Sequence, residues 1–276
     1  MRVWAHTRYR YREPLRKHHD LRVALWQELI QLAESMEPAE FAAVDPIPTV
    51  EVLKRAIGWP PPKLPERAEQ SPQFEHVAAD LMAVYRRVHV QVMPGLRAYG
   101  LLITPRGKGP FPLFVIHSGG GGYPELILFH QGNYHDQAIG AVQRGYAVLL
   151  PNYTYYPYFD RDAGTPIPRL VREELDEAFR RRGTCLLAVE LMRQQYLLDA
   201  VLARPDVDST RVCGSGLSYG GFFAMYSAAL DPRIRAVALS CAFRAHSVQD
   251  PNKPKAYITM ATSMELAAMI CPRPLL

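Results

Sequence analysis

An α/β architecture, a mainly parallel, doubly wound sheet with helices on both faces, is what the sequence predicts, and three observations predict it. Short, wholly apolar runs, LFVI at 113–116 and AVLL at 147–150, suit strands covered on both faces. Stretches of helical length alternate with these runs, the order that builds parallel sheets through right-handed crossovers. Hydrophobic residues make up 48% of the 276, against 21% charged, so a sizeable core can be buried and global disorder is excluded.

In chain order, residues 1–75 read as a helical, proline-punctuated extension. Leu21, Leu25, Leu29 and Leu32, with Val23, Trp26 and Ile30, share one face of an amphipathic helix that Pro38 ends. Pro46, Pro48 and Trp59-Pro60-Pro61-Pro62 with Pro65 mark an extended connector. The α/β unit is expected over 76–276. Its first strand, 84–92, places Val84, Val88, Val90 and Val92 on a pattern interrupted by Arg87, His89 and Gln91. Pro94-Gly95 turns the chain into a second strand over 99–104, which makes a hairpin. After the 113–116 strand, Asn133 and Asp136 read as the start of a helix over 138–144 that Gly145 stops. The 147–150 strand follows, then one long helix over 173–203 closed by Pro205. A strand over 210–214, a helix over Tyr219–Leu230 and a strand over Ile234–Ser240 complete the series. There is no internal repeat.

Composition removes several function classes. Lys and Arg exceed Asp and Glu by 32 to 27, and six basic side chains against two acidic ones put a net +4 within residues 1–20. A pI near 9.0 is therefore the property of a short arm, and no nucleic-acid-binding surface is expected. No run approaches the roughly 18 apolar residues of a membrane span, and no apolar stretch follows the N-terminal charges as in a secretory signal. Cys185, Cys213, Cys241 and Cys271 are irregularly spaced without a C-x-x-C pair, which argues against zinc and against a disulfide framework. Reduced thiols in a cytoplasmic protein are the expectation.

The chemistry is carried by Gly216-Leu217-Ser218-Tyr219-Gly220, a G-x-S-x-G element. By composition alone a chain of this length holds about 0.1 such matches. Here the element follows a predicted strand and opens a predicted helix, the context of a nucleophile elbow. A serine on so sharp a turn must hold an unfavourable backbone angle, which lifts its hydroxyl above the sheet edge. The chain crowds itself there, so positions two before and two after tolerate little beyond glycine. The helix that starts at the turn aims its free N–H groups at the reacting carbon. The competing reading is a glycine-rich turn with an incidental serine.

A second element agrees with the first. The 113–116 strand runs into His117-Ser118-Gly119-Gly120-Gly121-Gly122. Backbone N–H groups of Gly119 or Gly120, together with that of Tyr219, would hold the oxyanion of a tetrahedral intermediate, each worth roughly 3–4 kcal/mol. The loop has neither the Lys-Ser/Thr ending of a P-loop nor dinucleotide-binding spacing, so a phosphate cradle fits less well.

In combination, H-S-G-G-G-G, R-G-Y-A-V-L-L-P, V-D-S-T-R-V-C-G-S-G-L-S-Y-G-G and A-A-L-D-P-R-I-R-A-V resemble the α/β-hydrolases, in particular the branch of dienelactone-hydrolase-like and acetyl-xylan-esterase-like proteins. The closing Cys271-Pro272-Arg273-Pro274-Leu275-Leu276 is similar to the segment by which that branch enters its seventh core strand. The resemblance covers roughly 84–276. It implies a serine hydrolase acting on a small-molecule carboxylic ester without a cofactor: Ser218 as nucleophile, and Tyr219 with Gly119 or Gly120 as oxyanion donors. Dienelactone hydrolases carry cysteine at the elbow, and here the residue is serine. The family's acid and histidine follow strands seven and eight. On the resemblance both are expected beyond Leu276, the last core strands are missing, and these 276 residues would turn over an activated ester barely above background. The missing strand would also leave a sheet edge open to self-association.

Within the chain, His246 and Asp250 follow the sixth core strand, where some members carry their acid. A solvated loop histidine is the competing reading. His117 is expected to orient backbone and not to take protons. His130 and His135 with Asp136 suggest metal only weakly, because Asn133 and Asp136 have a helix-capping reason to be there. Tyr153, Tyr155, Tyr156 and Tyr158 follow a strand at the carboxyl edge of the sheet, where they either wall a ligand pocket or pack an insertion. A non-catalytic binding protein on the same scaffold, or a peptidase or thioesterase of that fold, are the rival functions.

Overall fold

The computed structural model describes residues 12–39, 49–61, 71–120, 122–129, 134–153, 169–243 and 261–276, with the side chains of 12–20, 22, 23, 26 and 169–173 excepted. In chain order the elements are α1 (Arg12–Ser35), α2 (Val50–Ile57), β1 (Gln73–Ala79), β2 (Ala83–Met93), β3 (Leu96–Pro105), β4 (Phe111–His117), α3 (Pro124–Phe129) and α4 (Gln137–Gln143). They continue with β5 (Ala147–Pro151), α5 (Arg169–Arg180), α6 (Leu186–Leu202), β6 (Val207–Leu217), α7 (Tyr219–Leu230), β7 (Ile234–Ser240) and α8 (Ser263–Ile270).

Seven strands form one sheet in the order β1-β2-β3-β5-β4-β6-β7. The first three and the β3–β5 pair run antiparallel; β5, β4, β6 and β7 run parallel. Alternation along the strands divides the core in two. Leu102 and Leu149 point into a large cluster with Leu29, Leu53, Phe179 and Phe223, the side of α1, α2 and α5 to α8. Leu101, Ile103, Val148 and Leu150 point the other way, onto Ile127 of α3 and Ala138, Ile139 and Val142 of α4. Helices thus cover both faces, as the apolar runs predict. At the far edge the Val237 N–H donates to the Pro274 carbonyl at 3.0 Å and the Leu276 N–H to the Val237 carbonyl at 3.0 Å, so Leu275 lies parallel beside β7.

Four differences from the sequence reading have physical causes. Strand β1 straddles the expected boundary at 75, and only its pairing with β2 reveals it: its residues read Q-F-E-H-V-A-A, half exposed and without clear alternation. The connector after Pro48 contains α2, which Thr49 caps through its side chain and Gly58 ends in the left-handed region at φ 64°. The long helix is two helices, because the chain turns at Gly183 (φ 78°) to dock against Gly58. A Cβ on Gly58 would stand 2.1 Å from the Gly183 carbonyl oxygen, the Thr184 hydroxyl donates to the Gly58 carbonyl at 2.9 Å, and Asp176 accepts from the Leu186 N–H to start α6. Finally, α4 begins where expected, yet Asp136 sits at φ 56° and makes no side-chain cap, while Asn133 lies outside the described residues.

The extension read over 1–75 contributes Leu29, Leu32, Ala33, Met36, Leu53, Ala56 and Ile57 to the large core. Glu28 of α1 also holds Arg97 of β3, accepting from both its backbone N–H and its guanidinium. Among the described residues no helix is long and apolar enough to cross a membrane.

Candidate active site

β4 and β6 are neighbours, and His117 pairs in register with Gly216, so the glycine loop and the G-x-S-x-G turn leave the sheet side by side at its carboxyl end. Ser218 stands between the last residue of β6 and the first of α7 with φ 54° and ψ −115°. For a residue with a Cβ this backbone costs on the order of 1–3 kcal/mol and persists only where its surroundings impose it. Those surroundings are mostly backbone, with the Ala242 methyl beside Gly221. A Cβ on Gly216 would lie 2.2 Å from the Gly220 carbonyl, and one on Gly220 2.2 Å from the His117 oxygen and 2.5 Å from that of Ser118. On the other flank, a Cβ on Gly221 would meet Ala242 at 2.2 Å, and the Ser218 N–H donates to the Ser240 carbonyl at 2.6 Å. The turn is therefore clamped between the loops that follow β4 and β7, and the Ser218 side chain is exposed above it.

Beneath the turn runs an aromatic and polar line, half-buried at Tyr219 and Phe222 and fully buried beyond them. Tyr219 stacks on Phe222, Phe223 stacks on Tyr153 with ring centroids 4.2 Å apart, and Tyr153 stacks on His117. The Tyr153 hydroxyl donates to Gln194 Oε1 at 2.7 Å, which leaves its oxygen to accept from His117 Nδ1–H at 2.5 Å. Burial pushes the His117 pKa down to about 3, so the ring is neutral and a poor proton acceptor. It anchors the start of the glycine loop. Tyr153 is buried in the large core; Tyr155, Tyr156 and Tyr158 lie outside the described residues.

The expected oxyanion donors stand as follows. Tyr219 opens α7 directly after the serine. Gly120 is exposed in the glycine loop. The Gly119 N–H donates to the Tyr134 hydroxyl at 2.6 Å, a partner the sequence reading missed because fifteen residues separate the two and only the fold brings them together. Among the described residues no imidazole hydrogen-bonds Ser218, and no group of His, Cys, Asp and Glu could hold a metal; His135 and Asp136 are exposed. His246, Asp250 and His130 lie outside the described residues. All four cysteines are free thiols, Cys185 buried and Cys241 and Cys271 exposed.

A second feature missed by the sequence reading supports the loop from behind. Glu125, on α3 directly after the glycines, is wholly buried and pairs with the equally buried Arg87 of β2 at 3.3 Å. Arg87 reaches on to Glu75, which also meets His89 at 3.4 Å. Burial pushes the Glu125 carboxyl up from the ordinary 4.5 to about 7, against the opposing pull of Arg87. A carboxyl whose pKa is raised in the folded state favours folding most below its unfolded pKa and loses that contribution as pH rises through the folded value. The protein is therefore expected to lose stability as pH rises from about 4.5 to about 7. Glu125→Gln should flatten that slope in a series of thermal melts; a slope equal to that of the unsubstituted protein would assign the window to another group.

No protein-family model matches the chain. The thiohydrolase apmlB of Arthrinium phaeospermum is 25% identical over 184 residues, which is 65% of this chain and 50% of that protein, so the chain spans about half the length of this curated relative. Among solved structures, a candidate acetyl xylan esterase of Bacteroides fragilis superposes with a TM-score of 0.60 at 15% identity, over 89% of this chain and 72% of that one. A methylesterase superposes at 0.54 and 19% identity, over 92% of this chain and 49% of that one. A glucuronoyl esterase of Solibacter usitatus superposes at 0.51 and 16% identity, over 77% and 68%. At such identities the likeness is one of fold.

Proposed function

We propose that this chain, which has the α/β-hydrolase fold, cleaves a small-molecule carboxylic ester through an acyl-enzyme on Ser218. The observation that carries the reading is the exposed serine held at φ 54° between a strand and a helix by close approaches at Gly216, Gly220 and Gly221 that leave no room for a Cβ. In the first half-reaction the Ser218 oxygen bonds to the ester carbon, its proton passes to a base, and the alcohol leaves with that proton. In the second, water displaces the acyl group as a carboxylic acid. We assign the base and its acid partner to residues outside the described ones, with His246 and Asp250 the candidates within the chain. The structural neighbours named as esterases support the reaction type, and the thiohydrolase supports a thioester as the competing substrate class.

Slow hydrolysis of p-nitrophenyl acetate, still above that of the Ser218→Ala variant, is the expected result, with an acetyl ester on the Ser218 peptide after an acid quench as the decisive readout. Equal rates in the two proteins together with no acetyl group on Ser218 would overturn the reading and leave the binding scaffold. Running S-phenyl thioacetate beside the oxygen ester ranks the two substrate classes, and a fall with His246→Ala as deep as that with Ser218→Ala would put the base within 244–260.

A further inference from the structure

The glycine loop is shaped around a phenol. The Gly119 N–H donates to Tyr134 Oη at 2.6 Å. A Cβ on Gly122 would stand 2.8 Å from that oxygen and one on Gly119 3.3 Å from it, so the two glycines leave a space that the hydroxyl fills. Gly119 also faces the Leu217 carbonyl, its missing Cβ 3.1 Å from that oxygen, which puts the phenol's seat beside the residue preceding Ser218. The ring of Tyr134 packs on the smaller core, at the point where the chain enters α4. Its oxygen accepts from Gly119, and among the described residues its proton has no acceptor. Burial holds the phenol's pKa above the ordinary 10, so it keeps that proton at neutral pH.

We propose that the Tyr134 hydroxyl is an oxyanion donor: held by the Gly119 N–H, it hydrogen-bonds the ester carbonyl oxygen as Ser218 attacks, and Gly119 acts through it. The inference rests on the reading of Ser218 as nucleophile. As the bond from serine oxygen to carbon forms, the carbonyl π pair moves onto oxygen, and the phenol tightens its hydrogen bond to that charge without giving up the proton. A hydroxyl whose oxygen already accepts an N–H is a stronger donor than a lone one, because hydrogen bonds in a chain polarise one another. The arrangement also accounts for glycine at both 119 and 122, which an amide donor at 119 alone does not require.

The test is calorimetric titration with benzeneboronic acid, whose boron takes up a serine oxygen as a tetrahedral anion without needing turnover. Tyr134→Phe should weaken binding about 10²-fold, the scale on which a single oxyanion donor acts, and Ser218→Ala should abolish it. Equal affinity in Tyr134→Phe and the unsubstituted protein, with none in Ser218→Ala, overturns the assignment of Tyr134 and leaves the nucleophile standing. Tighter binding by Tyr134→Phe means that the phenol obstructs the Gly119 amide, which also overturns it. Binding retained by Ser218→Ala, or absent from the unsubstituted protein, sinks the nucleophile reading itself. Should Tyr134→Phe fail to fold, 3-fluorotyrosine at position 134 keeps ring and hydroxyl and makes a stronger donor; it should tighten binding, and unchanged affinity counts against the proposal.

Discussion

Gly220→Ala is expected to cost the fold about 3 kcal/mol or more, far beyond the sub-kilocalorie change of an ordinary glycine-to-alanine substitution. The added methyl would stand 2.2 Å from the His117 carbonyl oxygen and 2.5 Å from that of Ser118. Both are backbone atoms, His117 ending the strand that pairs in register with β6 and Ser118 following it, so no rotamer change relieves the overlap and the strand end or the helix must shift. Gly140→Ala is the matched control. Gly140 lies inside α4, and its added methyl would meet only the far end of the Arg144 side chain, at 3.2 Å. There the loss of glycine's freedom in the unfolded chain should stabilise by about 0.4–1 kcal/mol. Denaturant melts of the two variants measure the contrast. A Gly220→Ala protein as stable as the control would mean that the elbow yields, and that its serine is not held in place by the surrounding backbone.

That contrast also marks where the sequence was legible. The limits of α7 and β7 can be read from residue pattern alone, and so can the position of Ser218 between strand and helix, because G-x-S-x-G satisfies a local steric demand that its own neighbours state. The apolar runs of β4 and β5 are legible for the same reason: burial on both faces leaves a continuous signature. What could not be read depends on contacts between distant segments. Strand β1 has no alternation of its own, and it exists by pairing with β2. The break between α5 and α6 follows from docking against Gly58, more than a hundred residues earlier. In the site, the glycine run announces a close approach without naming what approaches. Tyr134 fills the space, and no local pattern around Asn133 or Asp136 points to it. Asp136 shows the opposite failure: its spacing suits a helix cap, and the turn it occupies holds it at φ 56° with no capping bond.

Removing Arg87 should be the more damaging of the two changes at the ion pair behind the loop. Arg87→Met takes the cation from a carboxylate that is wholly buried, and breaking such a pair from one side typically costs about 3–5 kcal/mol. The loss should be greatest above pH 7, where Glu125 is ionised, and should shrink toward pH 5, where the carboxyl can take up a proton and be buried neutral. Glu75, the other carboxylate on Arg87, is 39% exposed and keeps water, so its share of the loss is small. The double variant Arg87→Met with Glu125→Gln carries no buried charge at this place, and should recover much of what Arg87→Met loses. The two single effects then sum to more than the double effect, the mark of a directly coupled pair. Because Glu125 lies in the first turn of the helix that follows the glycines, the proposed esterase activity gives a second readout. If Arg87 and Glu125 support the loop, Arg87→Met should lower turnover of p-nitrophenyl acetate at pH 8 more than at pH 6, and the double variant should lose that pH dependence. Equal stability losses at pH 5 and pH 8 would show that Arg87 acts by packing its stem, and that the charge of Glu125 has no part in holding the loop.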